Sequence, residues 1–160
     1  MPDIKTKLPG LGTSIFAVMS GKAREHGAIN LSQGFPDFES DPLLIDLVAR
    51  HMKMGHNQYA PMPGVYSLRE AIAEKIERSY GTAYHPESEI TVTAGATQAI
   101  FTAITATVRR GDEVIVFAPA YDSNAPSIRA NEGVPVEIEL VPPLYRGDWN
   151  KVKQAITPKT

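Results

Sequence analysis

Thr93-Ala94-Gly95-Ala96-Thr97 is the segment best suited to chemistry. A β-branched run, Ile90-Thr91-Val92-Thr93, breaks at Gly95 and opens into an Ala/Thr-rich stretch of helical character reaching Val108. A helix that starts this way points unpaired N–H groups, and the positive end of its dipole, into one small space, which suits a phosphate. The loop carries no lysine and is not a Walker loop, so the phosphate it suits is not that of a nucleoside triphosphate. Tyr121 follows Ala118-Pro119-Ala120, directly beyond a second apolar run, Val114–Phe117. Ligands of open α/β sheets gather beyond the carboxyl ends of the strands. Two strands thus deliver a phosphate cradle (Gly95, Ala96, Thr97) and an aromatic ring (Tyr121) to one edge. That pairing suits a flat phosphorylated cofactor whose ring can stack. Taken alone, a strand–glycine–helix junction also serves as plain structure, and Tyr121 as an ordinary loop tyrosine.

Other chemistries find little support. Gly10 and Gly12 follow no strand and do not complete a Gly-x-Gly-x-x-Gly fingerprint, and no Gly-x-Ser-x-Gly elbow occurs. His26, His51, His56 and His85 lack metal-ligand spacing and read as surface or core-edge histidines, so no metal is expected. The absence of cysteine excludes disulfides and thiol catalysis and fits a cytoplasmic location. A net charge of −2 gives no basic footprint for nucleic acid. No apolar run approaches the roughly 20 residues of a membrane span, and MPDIKTKLPGLG has no secretory h-region.

The elements that must position the cradle follow from periodicity. Thr13 can cap a helix running to about Glu25, and Asp41 with Pro42 starts a second carrying Leu44, Leu47, Val48 and His51 on one face. GHNQYAPMPG (55–64) is a loop. Val65, Leu68, Ile72 and Ile76 then recur at helical spacing, with Gly81 as C-cap and Arg69, Glu70, Glu74, Glu77 and Arg78 as a solvated face. From Glu89 the pattern is strand (90–93), helix (96–108), strand (113–117), short helix (122–131), strand (134–141) and a final helix from Trp149 capped by Asp148. This βαβαβ alternation predicts a layered α/β fold, its 113–117 strand covered on both faces. At 160 residues, 42% of them hydrophobic, the chain could bury one ordinary core.

Read together, LPGLGTSIFAVMS, INLSQGFPDF, NQYAPMPGVYSLREAIA, ITVTAGATQAI and GDEVIVFAPAYDSNAP resemble the N-terminal part of class I/II pyridoxal-phosphate aminotransferases of fold type I. The methionine and kynurenine-type branch is the nearest. The resemblance covers nearly the whole chain. It implies an N-terminal arm with a substrate-side loop (1–40) and the first part of the cofactor-binding large domain (41–160), a mainly parallel sheet with helices on both faces. Pyridoxal 5′-phosphate is the implied cofactor, an amino acid and a 2-oxo acid the substrates, and a homodimer the assembly. By the same resemblance, Gly95, Ala96 and Thr97 cradle the phosphate and Tyr121 stacks on the pyridine ring. Tyr59 reaches the cofactor phosphate of the partner subunit, and the backbone N–H of Gly34 meets the substrate α-carboxylate. Ile15 and Phe16 line the side-chain pocket. Asn124 departs from the pattern, standing where related sequences often have a second tyrosine, which bears on side-chain specificity.

No catalytic residue is expected in this chain. Pyridoxal-phosphate chemistry needs a Schiff-base lysine and an acid at the pyridine nitrogen. None of Lys5, Lys7, Lys22, Lys53, Lys75, Lys151, Lys153 and Lys159 has the family's lysine context. In the family the lysine, the aspartate and the substrate-binding arginine lie further along, as do the strands that separate the first strand from the second. The sheet is therefore expected to be incomplete, and the isolated chain inactive. A β-eliminating lyase on the same fold, and a non-catalytic truncated binding or folding module, are the alternatives to an aminotransferase.

Overall fold

The structure, a computed structural model, describes residues 5–34 and 36–160. Six helices and two strands follow in the order α1 (Ile15–Glu25), α2 (Pro42–Lys53), α3 (Tyr66–Tyr80), α4 (Ala96–Thr107), β1 (Glu113–Ala118), α5 (Asn124–Ala130), β2 (Val134–Glu139) and α6 (Trp149–Ala155). They form two compact units. One comprises the described residues up to Ser14 together with Thr93–Thr160, the other Ile15–Val92.

The Ile15–Val92 unit holds α1, α2 and α3 and is built from local signals. Asp41 caps α2 by accepting the Leu43 N–H at 2.8 Å, and Pro42 opens the helix, where a missing N–H costs nothing. Gly81 ends α3 in the left-handed conformation (φ 69°). One residue departs from the sequence pattern. Arg69 is not on a solvated face: it is 6% exposed, its Nη1 donates to the carbonyls of Pro86 (2.8 Å) and Glu87 (3.1 Å), and its guanidinium lies 5.6 Å from the Tyr66 ring centroid. The carbonyls of the 85–89 turn, unpaired by any ladder, take the cation that a carboxylate would otherwise hold. Ile90–Thr93 is likewise not a paired strand. Its one described backbone link to a distant segment is Val92 N–H to Pro63 O at 2.9 Å. Gly64 (φ 101°) lies against that residue, so closely that a Cβ would meet Val92 Cγ2 at 2.8 Å. Extended backbone becomes sheet only when a second strand meets it, and none does among the described residues.

The second unit carries the sheet. β1 and β2 pair in parallel, Glu113 opposite Val134 and Ala118 opposite Glu139. The crossover between them passes through α5 and contains Pro126. Among the described residues Ile128 (1% exposed) and Ile138 (6%) are the buried apolar ones, and they do not make up the single ordinary core expected from composition. Gly133 fits beneath this pair: a Cβ there would meet Val108 Cγ1 at 2.7 Å and Ile128 Cγ2 at 3.0 Å. β1 is half-buried, with Phe117 36% exposed, instead of covered on both faces as its apolar run predicts. Two strands with a short crossover cannot cover what a full doubly wound sheet would.

The two sheet edges differ. Val134 and Leu140 donate to β1-side carbonyls (Asp112, 2.8 Å; Ala118, 2.7 Å), so by alternation Pro135 turns its missing N–H outward. On β1, the Glu113 N–H bonds the Lys159 carbonyl at 2.7 Å, and Thr157 Oγ1 donates to Glu113 Oε2 at 2.6 Å. Beyond these contacts no strand flanks β1 among the described residues. An open groove of about 450 Å³ lies along β1, lined by Ile104, Val114, Val116, Phe117 and Ile128 among others.

Candidate functional site

The Thr93–Gln98 turn is closed from within. Gly95 N–H donates to Thr93 O (2.9 Å), Thr93 Oγ1 donates to Gly95 O (3.0 Å), and Gln98 Oε1 reaches back to the Ala94 N–H (2.6 Å). Gly95 stands at φ 93°, ψ 165°, a backbone region open in practice to glycine alone. A Cβ there would meet nothing within 4 Å, so conformation, not crowding, requires the glycine. The first described helical bond of α4 runs from Ala99 N–H to Gly95 O at 3.2 Å. The N–H groups of Ala96, Thr97 and Gln98 therefore have no partner within the helix, and they converge at its positive end. Thr97 adds a hydroxyl beside them.

The turn faces a cavity of about 320 Å³ lined by Ala94, Gly95, Ala96, Thr97, Ile100, Tyr121 and Asn124. The volume is at the lower end of that for small-molecule sites. Tyr121 is 57% exposed and stands beyond β1, past a cis Ala118–Pro119 bond. The structure thus brings together Gly95, Ala96, Thr97 and Tyr121, as their spacing predicts. It also adds one residue that the sequence alone did not single out as a donor or acceptor of the site, while the N–H of Gly95 is already used within the turn. Asn124 Oδ1 is buried without a partner. Its helical position four residues from Ile128 is the only sequence signal for its inward placement.

The other candidates belong to the Ile15–Val92 unit. Tyr59 is fully exposed at 102% in the loop after α2. Gly34 is exposed, with open space around it. Ile15 is 60% exposed at the first position of α1, and Phe16 is half-buried beside it. None of the eight lysines lines the 320 Å³ cavity. Among the described residues no group of three or more His, Cys, Asp or Glu is placed to hold a metal, and no helix is long and apolar enough to cross a membrane.

Residues 26–160 match the family model of the class I and II aminotransferases. The chain belongs to that family. It is 53% identical over 156 residues to the methionine aminotransferase of Escherichia coli, covering 98% of this chain and 40% of that protein. It is 40% identical over 158 residues to the probable N-succinyldiaminopimelate aminotransferase of Mycobacterium tuberculosis, with 97% and 40% covered. A solved E. coli structure, YbdL, identified with a methionine aminotransferase function, superposes with a TM-score of 0.94 at 52% identity, covering 99% of this chain and 41% of that one. The chain thus spans about two fifths of the length of the relatives it matches. The superposition places it in fold type I, and aminotransferases of this family depend on pyridoxal 5′-phosphate. The cavity fits such a group: the open N–H donors of Ala96 and Thr97 and a hydroxyl suit its phosphate, Tyr121 offers a flat face, and Asn124 Oδ1 an acceptor.

Proposed function

We propose that this chain is the N-terminal part of a homodimeric aminotransferase that moves the amino group of methionine or an aromatic-type amino acid to a 2-oxo acid. Residues 1–40 serve as arm and substrate-side loop, and residues 41–160 begin the cofactor-binding domain. The observation that carries the reading is the open first turn of α4 beside Tyr121. The N–H groups of Ala96 and Thr97 and the Thr97 hydroxyl hold the phosphate, a fixed anchor that leaves the ring end free to exchange partners. Tyr121 supports one ring face and helps exclude water from it. Tyr59, fully exposed here, extends to the phosphate site of a second subunit. Gly34 gives its N–H to the substrate carboxylate, while Ile15 and Phe16 bound the side-chain pocket. Pyridoxal phosphate supplies the electron sink that lets the Cα–H bond of the amino acid break.

This chain alone does not transaminate, because none of its lysines lines the cavity and nothing in it can move the proton at Cα. The protein acts in the cytoplasm on small molecules and binds neither nucleic acid nor membrane. The test is an intact-mass measurement on protein from its native source, followed by an assay for the 2-oxo acid of methionine. A mass well over twice 17.4 kDa with pyridoxal-phosphate-dependent oxo-acid formation is expected. Cofactor-free turnover, or release of ammonia with the side chain eliminated, overturns the reading.

A further inference from the structure

The carboxyl end of α2 holds two imidazoles in a fixed relation. After the C-cap Met54, Gly55 takes the left-handed conformation (φ 88°). The His56 N–H then bonds the His51 carbonyl at 3.1 Å, and the Gly55 N–H bonds the Met52 carbonyl at 3.1 Å. These are the two nested bonds of a Schellman turn, and Asn57 Nδ2 adds a third link to Met52 O at 2.8 Å. Such a turn brings its third-from-last helical residue against the second residue beyond the cap, where an apolar contact usually forms. Here both positions are histidine. The rings of His51 and His56 lie with centroids 5.3 Å apart and planes inclined at 56°, both on exposed residues.

We propose that His51 and His56 chelate a divalent transition ion that favours imidazole, such as Zn²⁺, with water completing its coordination. A zinc ion about 2.0–2.1 Å from a ring nitrogen sits roughly 3.2 Å from that ring's centroid, so two neighbouring ligands place their centroids about 4.5–5.2 Å apart. The observed 5.3 Å lies just beyond that range. The pair also stands at the negative end of the α2 dipole, which favours a cation. Arg50 and Lys53, in the same last turn, oppose it. With two protein ligands and, among the described residues, no third acid, cysteine or histidine grouped with them, the ion exchanges freely and does not hold the fold together. The spacing of five matches no helical ligand template; only the left-handed Gly55 closes it. The site uses no residue of the cofactor cavity and stands or falls apart from the aminotransferase reading.

Zinc chloride titrated into the full-length protein, followed by calorimetry and by the imidazole NMR signals, tests it. One site is expected, with the His51 and His56 signals shifting together before those of His26 and His85. His51→Ala and His56→Ala should each weaken zinc binding by about tenfold or more, since even residues behind the ligands are worth that much. His26→Ala should leave it unchanged. Gly55→Ala keeps both imidazoles, yet should weaken binding by opening the turn. Unaltered affinity in either histidine variant, equal shifts at all four histidines, or the same affinity in the urea-unfolded chain overturns the proposal.

Discussion

Helices α2 and α4 are each 12 residues long, and each borders a glycine at positive φ, Gly55 at 88° and Gly95 at 93°. The glycines sit at opposite poles and leave opposite results. At the carboxyl end of α2 the orphan carbonyls are bonded back by Gly55 and His56, so the helix end is satisfied and only its side chains remain on offer. At the amino end of α4 the turn bonds to itself through Thr93, Ala94 and Gln98, and three helical N–H groups are left over. A satisfied end is structure that can be decorated. An unsatisfied one asks for a ligand.

The sharpest way to break this contrast is Gly95→Val in a longer protein that binds pyridoxal phosphate. A β-branched residue at φ 93° should cost about 3 kcal/mol, more than a hundredfold in cofactor affinity measured by absorbance titration. Retained affinity would mean that the turn does not hold the phosphate. Thr97→Val comes next: losing one hydroxyl donor to a charged oxygen should weaken the cofactor by about 2 kcal/mol, roughly thirtyfold, with little change in melting temperature. At the other helix the readouts exchange places. Asp41→Ala removes the side-chain cap of α2 and should lower stability by about 1 kcal/mol in urea unfolding, leaving cofactor affinity untouched. A loss of cofactor there would contradict the separation of the two roles. Tyr59→Phe should have the smallest effect, and only at concentrations where the dimer forms; an equal effect at all concentrations would rule out a cross-subunit contact.

What the sequence made legible was what the chain decides over a few residues. Asp41 with Pro42, Gly81, Asp148 and the Gly95 turn all act within one helical turn, and each appears where its residue type indicates. Partners far along the chain were not legible. Arg69 lies on the polar stripe of α3, and nothing local reveals that carbonyls 17 and 18 residues away will bury it. Ile90–Thr93 has strand composition, but a strand is a relation between two segments. Within the site, Gly95, Ala96, Thr97 and Tyr121 were readable from element ends. The buried Asn124 oxygen and the back-bond of Gln98 were not, because each depends on how a side chain folds over its own turn. The His51–His56 pairing was hidden for the same reason.

The unequal edges of the β1–β2 sheet carry a consequence for how copies of the chain meet. The β2 side is blunted by Pro135 and bears Glu137 and Glu139, whereas the β1 side is apolar beyond Glu113 and, among the described residues, flanked by no further strand. A sheet open on both sides can add strands without end, as fibres do. A sheet open on one side can meet only another open side, and once two such edges face each other across a twofold axis neither has anything left to offer. Where nothing else covers β1, two such edges would close on each other and growth would stop at the pair.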